Sequence, residues 1–391
     1  MNMSYERTDQ LAASRSRVVR IAVLAAVLVF VTGAAYAHQA AGGAGKPVGV
    51  DALCPFGGLE TLFSLLVGGT FVTKIAASSV VLFAGSIGLA FVFRRSFCGQ
   101  VCPLGALQGA FGWMGSRVAR RRPKMPAALD RPARYLKYVV LAVFTVWTWQ
   151  AATLVMRPYD PWAAWAHITS DELLTEFGVG AAVLGISLAG SLVYDRFFCK
   201  YLCPMGAFLG LFSRVSWLRI KRDADACIDC GRCDKACPMN VAVATADTVT
   251  DSECISCNEC VNACPTTGAL EVAAGAKPLS PLKVTGIVVG LLAAVIALGT
   301  VTGTFEWTMP SLAEALERGG TAGRAFDSSL VKGYMSMSEI SQASGVPAEE
   351  FTARFGVPAA DLGRPMKEIK DTYGFSPHDV GAWVDEWLAA Q

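Results

Sequence analysis

Thirteen of the 391 residues are cysteine, and twelve of them stand at spacings suited to metal chemistry. Residues 227–238 read Cys227-Ile-Asp-Cys230-Gly-Arg-Cys233-Asp-Lys-Ala-Cys237-Pro238. The pattern returns at an offset of 27 as Cys254-Ile-Ser-Cys257-Asn-Glu-Cys260-Val-Asn-Ala-Cys264-Pro265. In such a C-x2-C-x2-C-x3-C-P run three close thiolates wrap one cubane, and the fourth serves its neighbour. The run therefore assigns Cys227, Cys230, Cys233 and Cys264 to one [4Fe–4S] cluster, and Cys254, Cys257, Cys260 and Cys237 to a second. A structural zinc ribbon is the competing use of these thiols.

A shift of 101 residues lays Arg95-Ser-Phe-Cys98-Gly-Gln-Val-Cys102-Pro103-Leu-Gly105-Ala106 on Arg196-Phe-Phe-Cys199-Lys-Tyr-Leu-Cys203-Pro204-Met-Gly206-Ala207, with nine identities across positions 95–111. Two cysteines four apart fall on one face of a helix end, and the following proline caps the pair against helical continuation. One pair offers two thiolates. Two pairs related by the repeat offer the four that an iron–sulfur cluster requires. Cys98, Cys102, Cys199 and Cys203 are thus expected to share one further cluster, [4Fe–4S] or [2Fe–2S], on a pseudo-twofold axis at the cytoplasmic membrane boundary. Zinc, or plain buried thiols, are the readings this spacing leaves open. Upstream, Cys54-Pro55-Phe56-Gly57 and Asp160-Pro161-Trp162-Ala163 each begin an outer helical piece. Cys54 has Asp160 as its counterpart, so the fold itself needs no thiol there; it is expected outside, with no intramolecular outer partner.

These motifs need a scaffold, and composition points to a membrane. Hydrophobic residues make up 53%, charged residues 17%, and mean hydropathy is +0.42; soluble domains carry about 25% charged residues. Uncharged stretches long enough to span a bilayer run over Ile21–Ala37, Ile75–Phe93, Tyr138–Met156, Phe177–Tyr194 and Val284–Phe305. Thr61–Thr73 is shorter, suiting an interfacial or re-entrant helix. Arg7, Arg15, Arg17 and Arg20 precede the first span, and the connections between spans two and three and between four and five each hold ten Lys/Arg, the former including Arg94, Arg95 and Arg120–Arg122. The positive-inside bias puts the N-terminus and both basic connections in the cytoplasm and the C-terminus outside. Ala35-Tyr36-Ala37 resembles a signal-peptidase site, but an uncleaved anchor is expected, and residue 38 lies outside either way.

Several functions are excluded. His38, His167 and His378 are the only histidines, none mid-span, so a bis-histidine haem bundle is ruled out, and no Cys-x-x-Cys-His is present for covalent haem. A net charge of +2 does not suit nucleic acid. Residues 223–272 carry nine acidic groups against Arg232 and Lys235, preceded by a basic stem (Arg214, Arg219, Lys221, Arg222, with Trp217 and Leu218) expected to lie on the anionic inner leaflet. Beyond Phe305 the chain is acidic, with 13 Asp/Glu against seven Lys/Arg. Helix starts at Ser336-Met-Ser-Glu339 and Ser376-Pro377-His-Asp379, with breaks at Gly345-Val-Pro347 and Gly356-Val-Pro358, describe a small helical docking module. Ile340, Phe351, Phe355, Leu362, Ile369, Tyr373, Trp383 and Trp387 are its expected core.

The expected organisation is a mainly α integral membrane protein built of duplicated two-span units, with a ferredoxin-like cytoplasmic insert for two [4Fe–4S] clusters and a small helical outer domain. Its segments are 1–50 (tail and anchor), 51–118 and 119–222 (the two Cys-x-x-x-Cys-Pro repeats), 223–275 (ferredoxin), 276–305 (fifth span) and 306–391 (periplasmic domain). Over residues 50–275 the paired Cys-x-x-x-Cys-Pro motifs and the ferredoxin run resemble the NapH/NosR family of membrane-bound polyferredoxins. That resemblance implies a multi-pass protein of the bacterial inner membrane that exchanges electrons with a quinone pool or a membrane redox partner, through clusters on the cytoplasmic side. It implies supply of electrons to periplasmic reductases or maturation systems. No catalytic acid–base pair emerges from the sequence. An accessory role in assembling or regulating a partner metalloenzyme is the alternative.

Overall fold

The computed structural model describes residues 3–41, 45–68, 77–120, 123–151, 155–170, 172–275, 277–319, 326 and 328–390. Most of them are helical, and the chain divides into two units: Met1–Gly33 with Val50–Phe305, and Ala34–Gly49 with Glu306–Gln391.

In the first unit each stretch read as a span lies on a helix: α1 (Met3–Ala40), α3 (Ala77–Phe93), α7 (Leu136–Ala151), α10 (Gly178–Val193) and α15 (Pro281–Val301). Two of them, over Ala12–Ala40 and Pro281–Val301, are long and apolar enough to cross a membrane. At 16 or 17 residues, α3, α7 and α10 are shorter, about 25 Å at 1.5 Å per residue. α2 (Pro55–Gly68) holds the described part of the expected Thr61–Thr73 helix; residues 69–73, the start of the second stretch at 75–76, Arg121 and Arg122 lie outside the described residues. Across this core run α4 (Ser96–Gln100), α5 (Pro103–Val118), α6 (Ala127–Ala133), α8 (Pro161–Ala166), α9 (Glu172–Thr175), α11 (Phe197–Tyr201) and α12 (Pro204–Ser213).

The internal repeat is visible element by element. α3, α4 and α5 begin 101 residues before α10, α11 and α12. Packing is crossed: α3 lies against α12, and α10 against α5. Each copy's first helix, α3 or α10, therefore rests on the helix that follows the other copy's cysteines. Neither copy buries its apolar face alone, and the cysteine pairs are drawn to the shared centre.

The lobe after α12 is a three-stranded antiparallel sheet with two short helices. β1 (Leu218–Arg222) pairs with β2 (Leu270–Ala274), and β2 with β3 (Lys277–Leu279), with Ile220 opposite Val272 and Val272 opposite Leu279. The basic stem is thus a strand in part: Leu218 and Ile220 point into the core while Lys221 and Arg222 bond Gly275 O and Asp229. Period-two alternation over only five residues was masked by the charges on its outer face. Two one-turn helices, α13 (Arg232–Ala236) and α14 (Glu259–Asn262), carry the third cysteine of each run.

The second unit packs α16 (Leu312–Gly319), α17 (Met337–Ser344), α18 (Ala348–Phe355), α19 (Met366–Tyr373) and α20 (Pro377–Ala389) around Leu312, Met337, Ile340, Phe351, Met366 and Val380. Of the expected core, Ile340, Phe351, Leu362 and Ile369 are buried, while Phe355, Tyr373, Trp383 and Trp387 pack against it half-buried. The Ser376/Asp379 capping box is complete. The Ser336 box is only half made, because the Glu339 carboxylate accepts from the Leu312 N–H at 2.8 Å instead. Residues Ala34–Gly49 belong to this second unit, and the chain returns to the first at Val50. Residues 45–48 run antiparallel to 307–309, with Val48 N–H on Trp307 O and Met309 N–H on Lys46 O, and the Lys46 ammonium lies 5.6 Å from the Tyr334 ring centre.

Candidate iron–sulfur sites

The Cys-x-x-x-Cys-Pro motif is not one helix end but two. Cys98 sits in the five-residue α4, the helix stops at Gln100, and Cys102 is the N-cap of α5 with Pro103 at its first position. Cys199, Cys203 and Pro204 repeat this on α11 and α12. The proline thus opens the following helix, where its missing N–H costs nothing, and does not close the preceding one. The break lets both sulfurs face a common point. Cys98, Cys102, Cys199 and Cys203 line one cavity, together with Leu104, Met205, Trp162, Asp160 and Cys54. Cys54 is therefore gathered with the four, at the start of α2, where its sequence context suggested an isolated outer thiol.

Arg95 and Arg196, identical residues of the repeat, reach across reciprocally. The Arg196 guanidinium donates to Cys98 O at 2.7 Å and lies where a Cβ on Gly105 would be, 2.8 Å away. A Cβ on Gly206 would overlap the Arg95 guanidinium in the same way. The repeated glycine is thus the space each copy leaves for the other's arginine. Both arginines are buried, at 1% and 4% exposure, and bring positive charge to a site of four sulfurs. Gln108 breaks the symmetry: its Nε2 donates to Cys199 Sγ at 3.3 Å, and its Oε1 accepts from the Phe198 N–H at 3.0 Å. Its counterpart is Leu209. A lone glutamine in a Gly/Ala/Leu helix was the legible signal for it, since a buried polar group demands partners.

In the lobe, Cys227, Cys230, Cys233 and Cys264 line one cavity, and Cys237, Cys254, Cys257 and Cys260 line another. These are the two sets read from the spacing. Asp229 and Ser256 have φ of 50° and 49°, and Gly231 and Asn258 63° and 59°. The two loops therefore share one left-handed kink pattern 27 residues apart. Alternate left-handed residues curl a backbone into a concave nest of N–H groups, suited to an anionic centre. Asn tolerates this conformation where Gly supplies it freely. Among the described residues no three His, Cys, Asp or Glu side chains form a site for a metal ion.

Buried charge ties the lobe to the repeats. Glu253, next to Cys254, accepts from Arg95 at 3.0 Å and from Lys137. Burial pushes its carboxyl upward, but Arg95 and then Lys137 outweigh that and hold it below the usual carboxylate range. On the second copy the Tyr201 hydroxyl donates to Asp130 at 2.5 Å, and Arg134 binds Asp130 and donates to Met239 O and Asn240 O beside Cys237. From α1, Arg17 and Arg20 pair with Glu259 at 2.8 and 2.7 Å, giving two residues of the N-terminal basic flank a partner on α14.

A family described as "4Fe-4S binding domain" matches twice, over residues 75–125 and 177–224, one match per repeat, and a "4Fe-4S dicluster domain" matches residues 219–265. The putative electron transport protein YccM of Escherichia coli is 29% identical over 68% of this chain and 77% of its own length. The methylamine utilization ferredoxin-type protein MauN of Methylobacillus flagellatus is 30% identical over 50% of this chain and 66% of its own. The ferredoxin-type protein NapH of Escherichia coli is 28% identical over 46% of this chain and 59% of its own. The chain belongs to the NapH-type polyferredoxin family. No solved structure matches it. As a NapH-type polyferredoxin it is an iron–sulfur electron-transfer protein with 4Fe–4S-binding domains and membrane helices. The two matches to one domain coincide with the copies whose helices pack crosswise.

Proposed function

We propose that this polyferredoxin carries electrons between a quinone pool or a cytoplasmic-side donor and a membrane or periplasmic redox partner, through three four-cysteine sites. Cys227, Cys230, Cys233 and Cys264 hold one [4Fe–4S] cluster, Cys237, Cys254, Cys257 and Cys260 a second, and Cys98, Cys102, Cys199 and Cys203 a third iron–sulfur centre. The observation that carries this reading is the grouping of these twelve cysteines, four to each of three separate cavities, with Cys54 as a fifth thiol at the last. Such clusters supply one-electron storage. The protein supplies thiolates, N–H groups and buried cations that set how strongly negative charge is tolerated. Exposed Cys230 and the exposed Ile228 beside it suit the first set to exchange with a soluble partner. The buried four-cysteine site between the copies suits exchange within the membrane.

The topology in this reading has five spans, the N-terminus and all three sites on the cytoplasmic side, and the second unit outside. The pairing of residues 45–48 with 307–309 supports it, since the chain leaving α1 and the chain leaving α15 must then emerge on one side. The contacts of Arg17 and Arg20 with Glu259 support a ferredoxin lobe on the side of the basic N-terminus.

Anaerobically purified chain is expected to hold about twelve irons if all three sites are cubanes and about ten if the membrane site is smaller. EPR-monitored titration is expected to resolve a third reducible centre; colourless, iron-free material would refute the reading. Gln108→Leu, copying the second repeat, is expected to lower the potential of the membrane site. Loss of one hydrogen bond to a thiolate, worth about 1 kcal/mol, corresponds to about 40 mV for one electron. The same titration reads it, with the ferredoxin potentials unmoved.

A further inference from the structure

We propose that Gly99 is a positioning residue that brings the Cys237/Cys254/Cys257/Cys260 set directly against the four-cysteine membrane site, so that this set, and not the Cys227 set, is its neighbour. The inference rests on the ligand sets given under Proposed function and deepens them.

Gly99 lies between Cys98 and Cys102 and is fully enclosed. A methyl group there would overlap the Ile255 carbonyl and stand 3.2 Å from the Cys257 N–H nitrogen. The backbone of one cysteine loop is therefore in contact with the backbone of the other, with no side chain between them. Around this point hydrogen bonds cross the seam. Gln100 donates to Ser256 O at 2.7 Å, the Ser256 hydroxyl donates to Phe93 O at 2.8 Å, and Arg20 donates to Gly99 O at 3.2 Å. Arg94 donates to Val249 O and Asp251 O. The second copy reaches the same set from its other side through Arg134, at Met239 O and Asn240 O next to Cys237.

Among the described residues the Cys227 set has no such seam. Its cavity is lined only by residues between 222 and 270, and its described contact with the repeats is a hydrogen bond from exposed Lys124 to Asp234 O. The repeat itself makes the point. At the position of Gly99 the second copy has Lys200, whose side chain would fill the space that Ile255 occupies. The backbone-to-backbone contact therefore forms on one copy alone, and a glycine that looks unremarkable in a Gly-rich segment breaks the pseudo-symmetry.

The test uses the full chain in detergent, reduced with dithionite as one-electron donor, with iron content and EPR line shape measured on each variant. Cys227→Ala/Cys230→Ala is expected to lose the iron of the first set and to retain magnetic broadening between the two remaining centres. Cys254→Ala/Cys257→Ala is expected to lose that broadening, leaving two isolated signals. The reverse pattern would overturn the proposed adjacency. Gly99→Ala in the first background is expected to keep its iron and lose the broadening, whereas Gly109→Ala, a site with open space around it, keeps both. Full iron with unchanged broadening in Gly99→Ala overturns the role given to Gly99. Loss of iron in Gly99→Ala with a normal Gly109→Ala overturns it equally, since a positioning residue leaves the ligands intact. Absence of membrane-site iron in the unaltered chain would instead strike at the ligand sets themselves.

Discussion

Replacing Cys98 and Cys199 together by alanine is expected to remove about four irons per chain if the membrane centre is a cubane, and about two if it is smaller, while the eight ferredoxin cysteines keep theirs. One cysteine from each copy is taken because the site is a joint product of both: Cys98 on α4 and Cys199 on α11 face one cavity only because α3 packs on α12 and α10 on α5. Iron and acid-labile sulfide analysis with EPR gives the number. An unchanged iron count would refute this ligand set. The same variant separates iron from the other tenant of four thiolates, since zinc in the purified protein would be lost without any change in the reduced spectrum.

Glu253→Gln is expected to be the most destabilising single substitution outside the cysteines. Glu253 is 4% exposed, and the two cations it binds, Arg95 and Lys137, are 1% and 0% exposed. Neutralising it leaves two buried positive charges facing each other, and breaking a buried ion pair from one side costs about 3–5 kcal/mol. Glu259→Gln is the control. Its partner Arg17 is 44% exposed, so the Arg17 pair is worth about 1 kcal/mol or less, though Arg20 is more enclosed. Denaturant melts of the full chain, followed by cluster absorbance, should show the first midpoint displaced well beyond the second. Equal displacement would mean that the Arg95–Glu253–Lys137 cluster is not what holds the lobe to the repeats. Since the Glu253 carboxyl is held below its ordinary range, its contribution is complete above the unfolded carboxylate pKa and fades as pH falls through the lower, folded value.

The metal chemistry was legible because it is local. A cubane needs thiolates at fixed short intervals, so eight cysteines in two twelve-residue runs announce both their use and their exchange of fourth ligands. The doubled Cys-x-x-x-Cys-Pro was legible for a related reason, as duplication leaves identities at the positions both copies need. What those identities do was not. Arg95, Arg196, Gly105 and Gly206 repeat because each arginine occupies the room the other copy's glycine leaves, a relation no single copy contains. The stem at 218–222 read as a membrane-facing segment because its alternating Leu218 and Ile220 are interleaved with arginine and lysine, and only pairing with residues 270–274 makes it a strand.

By itself the sequence pointed to the cysteines suited to holding iron, to a mainly helical apolar scaffold with a repeated Cys-x-x-x-Cys-Pro segment, and to an acidic helical unit after it. Those properties depend on residue type and on spacings within one or two turns of chain. The tertiary structure decided which cysteine loop lies against Gly99, that Cys54 joins the cavity of Cys98 and Cys199, and which segment pairs with residues 45–48. Each of these joins positions far apart in the chain, and their proximity comes from packing apolar helices crosswise and closing buried charges on one another, which local pattern does not encode.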